Sequence, residues 1–266
     1  MPPFPLLGVS RGPPVGDVTS PGTSTSVRTS PLITMLFGAL ACICAAGAIP
    51  AYAWAAATCS RTYSYAGMTA SSPSHGISAV LSPIATPDVR KGHVAGWVGV
   101  GGDGFGPDGS SEWIQVGLSA FPGSGSSIYY EVQQPDIGAN YVEVQANIAP
   151  GERHRVAVLE VHGRPSVWRV WLDGRAVSPP YYLPGSHVGW KPQATAESWN
   201  NNANVCNNYA YSFSGISLAA APGGGWHSLN SRGFEFEDAG YSMTRRSPTS
   251  FIAASRELLR RLNSAK

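Results

Sequence analysis

Three polar side chains that could do chemistry lie in segments that alternate like β-strands. They are Gln115 in EWIQVGL, Glu131 in IYYEV and Glu197 in TAESWN. In the first segment Trp113 and Gln115 share one face, and the apolar residues between and after them take the other. If the apolar face is buried, Gln115 stands on a face that could bind or act on a ligand. A strand glutamine is more often a solvated surface residue, so the pattern leaves its role open.

Aromatic side chains accompany these polar residues in the same segments and in the segment before them. Rings of this kind can form the walls of a binding groove. We therefore predict a substrate-binding set on the same face, made up of Trp97, Trp113, Tyr129, Glu131 and Trp199.

A glutamate and a glutamine together can hydrolyse an amide bond. An ionised glutamate can take a proton from an attacking water as general base and return it to the leaving amine. A glutamine offers two N–H donors, which can polarise the carbonyl and stabilise the oxyanion. Because glutamine does not titrate, the glutamate is spared the like-charge coupling of a paired-carboxylate site.

The composition favours strands and turns over long helices. Of the 266 residues, 31 are glycine and 22 are proline, and only 13% are charged, against about 25% in an ordinary globular protein. The formal net charge of +2 gives no case for a nucleic-acid partner. The common nucleophile, zinc-protease, phosphate-loop and paired-cysteine motifs are missing, and the histidines are scattered, so we predict no metal and no cofactor.

Alternating segments with turn residues between them recur from about residue 60 onward. We predict strands over 76–87, 93–102, 112–121, 126–134, 140–148, 153–163, 166–178, 190–200 and 209–220. Asp173-Gly174 predicts a tight hairpin. This spacing, without helical periodicity, predicts an all-β fold: an antiparallel β-sandwich domain over residues 60–222.

The two ends of the chain differ from this central part. Residues 223–266 are predicted as a C-terminal extension, in which 223–233 is loop-like, one or two strands follow, and 249–263 forms a short amphipathic helix. Residues 1–30 have the composition of a disordered segment. Residues 31–58 are an uncharged apolar run, either a cleaved signal peptide or a transmembrane anchor. We favour cleavage, and both interpretations place the sandwich outside the cell, secreted or held at the outer face of the membrane.

The four cysteines divide into two pairs. Cys42 and Cys44 lie in the apolar run, which leaves Cys59 and Cys206 outside it. In an exported protein these two could form one disulfide, and the alternative is two unrelated thiols.

Five segments, taken in order, resemble the motifs of a known family. GWVGVGG, WIQVGL, IYYEV, TAESWN and YSFSGISL follow the order found in the glutamic peptidases, or eqolisins. The resemblance covers about residues 65–220 and implies a concanavalin A-like β-sandwich, a lectin- or glucanase-like jelly roll, with acid protease activity. It implies Gln115 as the catalytic glutamine and Glu197 as the catalytic glutamate. Ser198 is inserted before Trp199 relative to the family motif.

Three functional hypotheses follow from these residues. The first is an exported glutamic-peptidase-like endopeptidase that acts on polypeptides. The second is a catalytically inactive lectin-like module that binds glycans or peptides, because the segment ESWNNNANVCNNY is rich in amides that bind sugar hydroxyls. A weaker third is a glycosidase, for which Glu131 and Glu197 would be the carboxylate pair.

Overall fold

The computed structural model describes Cys59 and residues 62–186, 189–229 and 233–264. These residues form sixteen strands and one C-terminal α-helix. The predictions for residues 1–30 and 31–58 lie outside the described residues. Within the described ranges, none of the helical structure has the length and apolarity needed to cross a bilayer.

The strands are short and follow one another closely. In chain order the elements are β1 Tyr63–Ala70, β2 Gly76–Pro83, β3 His93–Gly102, β4 Glu112–Ala120, β5 Ser126–Gln134, β6 Gly138–Ile148, β7 His154–Glu160, β8 Val167–Leu172, β9 Arg175–Ala176, β10 Tyr181–Tyr182, β11 Gln193–Trp199, β12 Ala210–Ala221, β13 Gly224–Ser228, β14 Gly233–Glu237, β15 Tyr241–Ser247, β16 Ser250–Ser255 and α1 Arg256–Ser264.

Two antiparallel sheets make up the fold. The first has seven strands in the order β14-β1-β11-β3-β4-β5-β6. The second has nine, with the path β10-β8-β7-β2-β12-β16-β15, β13 beside β12 and β9 beside β8. The predicted antiparallel β-sandwich with a short C-terminal helix is confirmed.

The core consists of side chains that alternate inward from both sheets. Val98 and Ile114 of the first sheet and Val158 and Phe213 of the second are fully or almost fully excluded from solvent. Period-two alternation produces this pattern, because every second side chain of a strand faces the same way. Strand β4 is buried at every position, so its outward face is enclosed as well.

The C-terminal part departs from the sequence prediction. Strand β14 joins the first sheet and β15 and β16 join the second, so the strands after residue 223 belong to the sandwich and not to a separate extension. The predicted loop at 223–233 contains β13, which pairs with β12.

The predicted helix over 249–263 is wrong in its first part. Residues Ser250–Ser255 form β16, and the helix begins only at Arg256. Phe251 stacks on Phe213 of β12 with ring centroids 4.4 Å apart, and β16 pairs with both β12 and β15. These non-local contacts decide the conformation, because the apolar residues suit a helix face or a strand face equally well.

A disulfide joins the start of the sandwich to a late loop. Cys59 and Cys206 are bonded, with their Cα atoms 5.5 Å apart and 147 positions between them in the chain. The predicted pairing is confirmed.

Candidate active site

The three polar residues singled out by the sequence lie on one face of the first sheet. Gln115 pairs directly with Glu131 on β5 and with Gly99 on β3. Glu197 on β11 pairs with Ala95, which lies four residues before Gly99 on β3. Paired residues and residues two or four apart point the same way, so all three side chains lie on the side away from the core. We call this side the outer face of the first sheet.

The predicted aromatic residues lie on the same outer face. Trp97 and Tyr129 both pair with Gly117, between them on β4. Trp113 lies two residues before Gln115 on the same strand, and Trp199 lies two residues after Glu197 on β11. The structure therefore brings every predicted site residue onto one surface.

Glu197 is the most tightly held of these groups. Its side chain is 2% exposed, and both carboxylate oxygens have partners. Trp97 Nε1 donates a hydrogen bond to Oε2 at 3.0 Å, and His93 Nε2 lies 3.1 Å from Oε1. A buried carboxylate fixed from both sides has a defined orientation, as a general base requires.

His93 is a further residue of this site that was not among the predicted ones. It pairs with Trp199 across β3 and β11 and lies on the outer face, four residues before Trp97. The same alternation that places Trp97 on this face would have selected His93, because both belong to the predicted strand 93–102.

Gln115 is held by a tyrosine. Its Nε2 donates to the hydroxyl of Tyr129 at 3.0 Å, and both side chains are buried. Burial, and then the negative charges of Glu197 and Glu131, raise the pKa of Tyr129 well above its usual value, so the hydroxyl stays neutral. One amide N–H is taken by this bond, and the other has no acceptor among the described residues.

Glu131 differs in charge state from an ordinary surface glutamate. Burial, and then the charge of Glu197, raise its pKa to about 8. The Trp113 indole N–H lies near enough to offset part of this rise, without a hydrogen bond of good geometry. At acid pH Glu131 is therefore neutral, and the outer face holds two carboxyl groups in different environments.

Glycines allow the strands beneath these residues to approach closely. A Cβ placed on Gly99 would lie 2.8 Å from the Cβ of Gln115, and one on Gly117 would lie 2.1 Å from the carbonyl oxygen of Gly96. Neither position accepts a side chain without movement of the strands.

The inserted Ser198 keeps its neighbours on the outer face. Ser198 is fully buried on the opposite side, where its hydroxyl donates to Asn200 Oδ1 at 2.9 Å and accepts from Asn207 Nδ2 at 3.1 Å. With one residue between them, Glu197 and Trp199 point the same way. Asn200 and Asn207 of the amide-rich segment are thereby occupied in a buried network.

An aromatic cluster borders Glu197. Tyr63 of β1 stacks on Trp199 with ring centroids 6.1 Å apart and on Tyr65 at 6.0 Å. Tyr65 pairs directly with Glu197. Neither tyrosine was part of the predicted set, since the sequence analysis assigned no strand before residue 76.

The described residues contain no group of three or more histidine, cysteine, aspartate or glutamate side chains arranged to hold a metal ion.

The fold is similar to the β-sandwich of the glutamic peptidases. A solved structure of scytalido-glutamic peptidase with a transition-state analogue inhibitor has 15% identity and a TM-score of 0.52, over 73% of this chain and 98% of that chain. A second, with a peptide-based transition-state analogue, has 14% identity and a TM-score of 0.50, over 73% and 98%. No protein-family model and no curated protein sequence matches the chain. The similarity confirms the predicted glutamic peptidase-like, concanavalin A-like fold.

Proposed function

We propose that this protein is an exported, acid-active endopeptidase that uses Glu197 as general base and Gln115 as oxyanion stabiliser. The observation that carries the proposal is the setting of Glu197. Its carboxylate is buried, held by His93 and Trp97, and lies on the same sheet face as Gln115. Among the described residues no Arg or Lys forms an ion pair with this carboxylate, which lies on a face of aromatic rings.

The chemistry begins with a water bound to Glu197. The carboxylate removes a proton as the water oxygen attacks the scissile carbonyl carbon, and the carbonyl oxygen becomes an oxyanion. An N–H of Gln115 donates to this oxygen and stabilises the developing charge. Glu197 then returns the proton to the leaving nitrogen, the C–N bond breaks, and a carboxylic acid and an amine are released.

The surrounding residues suit an extended polypeptide substrate. Trp97, Trp113 and Trp199 offer apolar walls, and Tyr129 orients the Gln115 amide. Glu131 is neutral at acid pH, and its buried Oε1 has no partner among the described residues.

Export is supported by the disulfide, because disulfides persist in oxidising compartments. The apolar run at 31–58 supports it too, as a cleaved signal peptide or a membrane anchor. Expression of the full chain in a secreting host, followed by N-terminal sequencing of the product, tests this. A product that starts within or after the run supports cleavage, whereas intact chain in the membrane fraction supports an anchor and intact cytosolic chain contradicts export.

The alternative is an inactive sandwich that binds glycans or peptides on the same face. The stacked rings of Tyr63, Tyr65 and Trp199 favour it, because such rings also bind sugars. The two hypotheses differ in turnover, and the alternative predicts saturable binding without any cleavage.

Cleavage of an unfolded protein between about pH 2 and pH 7 decides between them, because this range contains the titration of ordinary carboxyl groups. We expect E197Q to lower kcat/KM by about a thousandfold and Q115A by about a hundredfold. The control is E257Q on the exposed helix α1, which should keep full activity. Absence of cleavage by the wild type, or full activity in E197Q, would refute the peptidase proposal.

A further inference from the structure

A second cavity lies on the other side of the sandwich, away from the candidate active site. It has a volume of about 600 Å³, within the range of roughly 300–1,000 Å³ that is usual for pockets of small ligands. Its lining comes from β2, β7, β8, β12 and the turn before β13. We call it the back-sheet cavity.

The floor of the back-sheet cavity is built from small side chains. Ser217, Ser78 and Ala157 are direct neighbours across β12, β2 and β7, and Trp171 of β8 follows them in the same row. Their sequence neighbours, such as Ile77 and Val158, face the core, so this row faces outward. Small residues in the middle of the row, with an indole at its end, leave a depression.

Its walls are largely apolar. Trp171 lies on one side of the cavity and Trp226 of β13 lies on the other. Leu159 and Val161 also line it. Trp226 is 42% exposed, so part of its indole is open to solvent at the cavity. The cavity therefore suits the apolar body of a ligand.

Two guanidinium groups border the same cavity. Arg155 and Arg169 both line it, and neither forms an ion pair with another described residue. Arg169 donates through Nε and Nη2 to the carbonyl oxygen of Ser178 at 3.2 and 3.1 Å, which leaves Nη1 without a described acceptor. Among the described residues, the Arg155 guanidinium makes one long Nη1 contact of 3.5 Å to the Ser78 hydroxyl and interacts electrostatically with Asp173.

The two carboxylates near these arginines form hydrogen bonds with groups other than the guanidinium groups. Glu160 accepts from the backbone N–H of Ser166 at 2.6 Å and lies 2.6 Å from His75 Nδ1. Asp173 accepts from the backbone N–H of Arg155 at 2.8 Å and lies 2.8 Å from His154 Nδ1. Asp173 offsets part of the Arg155 charge, and the remainder, with the charge of Arg169, is available to an external anion.

We propose that the back-sheet cavity binds an amphipathic organic anion, with its apolar body between Trp171 and Trp226 and its carboxylate at Arg155 and Arg169. The body is a medium-length acyl chain or an aromatic ring, which share this chemistry. The proposal is independent of the peptidase proposal, because the cavity lies on the other sheet.

Calorimetric titration of the full-length protein with two matched ligand pairs tests it. Decanoate against decan-1-ol examines the acyl chain, and indole-3-acetate against indole examines the ring. We expect at least one acid to bind saturably with 1:1 stoichiometry, about tenfold more tightly than its neutral counterpart. The acid that binds shows whether the body of the ligand is an acyl chain or an aromatic ring.

Variants locate the site. R155Q and R169Q should each weaken binding of the acid about tenfold and leave the neutral compound unaffected, whereas W226A should weaken both. Matched controls are R260Q on α1 and F234A on β14, where Phe234 is 66% exposed. Far-ultraviolet circular dichroism verifies that each variant is folded, and R155Q changes an exposed side chain with few contacts.

Three results would overturn the proposal. They are no saturable binding of either acid, equal affinity for acid and neutral compound, or unchanged binding in R155Q, R169Q and W226A alike. E197Q should bind the acid as the wild type does, so a loss of binding there would place the ligand on the outer face of the first sheet instead.

Discussion

His93 Nε2 lies 3.1 Å from Glu197 Oε1, and the two residues stand on the neighbouring strands β3 and β11. The other oxygen of the same carboxylate accepts the indole N–H of Trp97 at 3.0 Å. A carboxylate has about four lone-pair positions. His93 and Trp97 occupy two of them, so two remain to accept a hydrogen bond, and then a proton, from a water. His93 and Trp97 thus orient the proposed base without blocking it.

Replacement of His93 tests this positioning role. We expect H93A to lower kcat about ten- to a hundredfold with little change in KM, because a hydrogen bond to a charged group contributes about 1.5–3 kcal/mol. H93Q should recover part of the rate, since its amide N–H can still donate to Glu197. Steady-state kinetics on a peptide substrate across the acid range measures both effects. A rate unchanged in H93A, or lost equally in H93Q, would contradict the role.

Gly99 controls the position of Gln115. In G99A the new Cβ would lie 2.8 Å from the Gln115 Cβ and 2.8 Å from the carbonyl oxygen of Ile114, so β4 has to shift. A displacement near 1 Å costs about a hundredfold in rate, and we expect kcat/KM to fall by that order. The comparison is G125A, where a Cβ meets nothing within 4 Å. Equal activity of G99A and G125A would show that the geometry of Gln115 is not critical.

Glu131 makes the fold more stable in acid. Its pKa is about 8 in the folded protein against a usual 4.5, so between these values the folded state binds more protons than the unfolded state. The free energy of unfolding therefore falls as the pH rises from about 4.5 to about 8, by up to about 5 kcal/mol for this group. Glu112, whose pKa burial raises to about 7, acts in the same direction.

Urea unfolding of wild type and E131Q at about pH 4 and pH 8 measures this effect. E131Q has no carboxyl to ionise, so it should exceed the wild type in stability at the higher pH and match it within about 1 kcal/mol at the lower. A gain in wild-type stability toward pH 8 would be opposite to the expected change and would contradict the raised pKa of Glu131.

The disulfide should contribute measurably to stability. Cys59 and Cys206 close a loop across 147 positions, and we expect the C59A/C206A variant to lose about 2–5 kcal/mol of unfolding free energy. Addition of a reductant to the unfolding experiment should destabilise the wild type similarly and leave the double variant unchanged. A variant as stable as the oxidised wild type would contradict this expectation.

Local alternation predicted much of the outer face correctly. Strands β3 and β5 have the bounds expected from the sequence, and Trp113, Gln115 and Glu131 lie on the predicted face. The family resemblance identified the same sandwich that the structure has. Alternation is a property of neighbouring residues, so it can be read without knowledge of the fold.

Burial and partners could not be predicted in this way. The outward face of β4 was expected to be a groove or a solvated surface, yet Gln115 is only 4% exposed. The contact between His93 and Glu197 depends on β11 lying beside β3, which no local pattern specifies. Burial first, and then the charge of Glu197, raise the pKa of Glu131, and both depend on contacts between distant parts of the chain.

The sequence by itself determined the strand periodicity, the face on which each candidate residue lies, and the cysteine pair available for a disulfide. The tertiary structure alone decided the strand order, the enclosure of the outer face, and the conformation of Ser250–Ser255, which pairs as β16 where a helix was expected. The physical reason is the distance along the chain over which each interaction acts. Side-chain alternation arises between adjacent residues, whereas sheet order, burial and charge coupling arise between residues that meet only when the chain has folded.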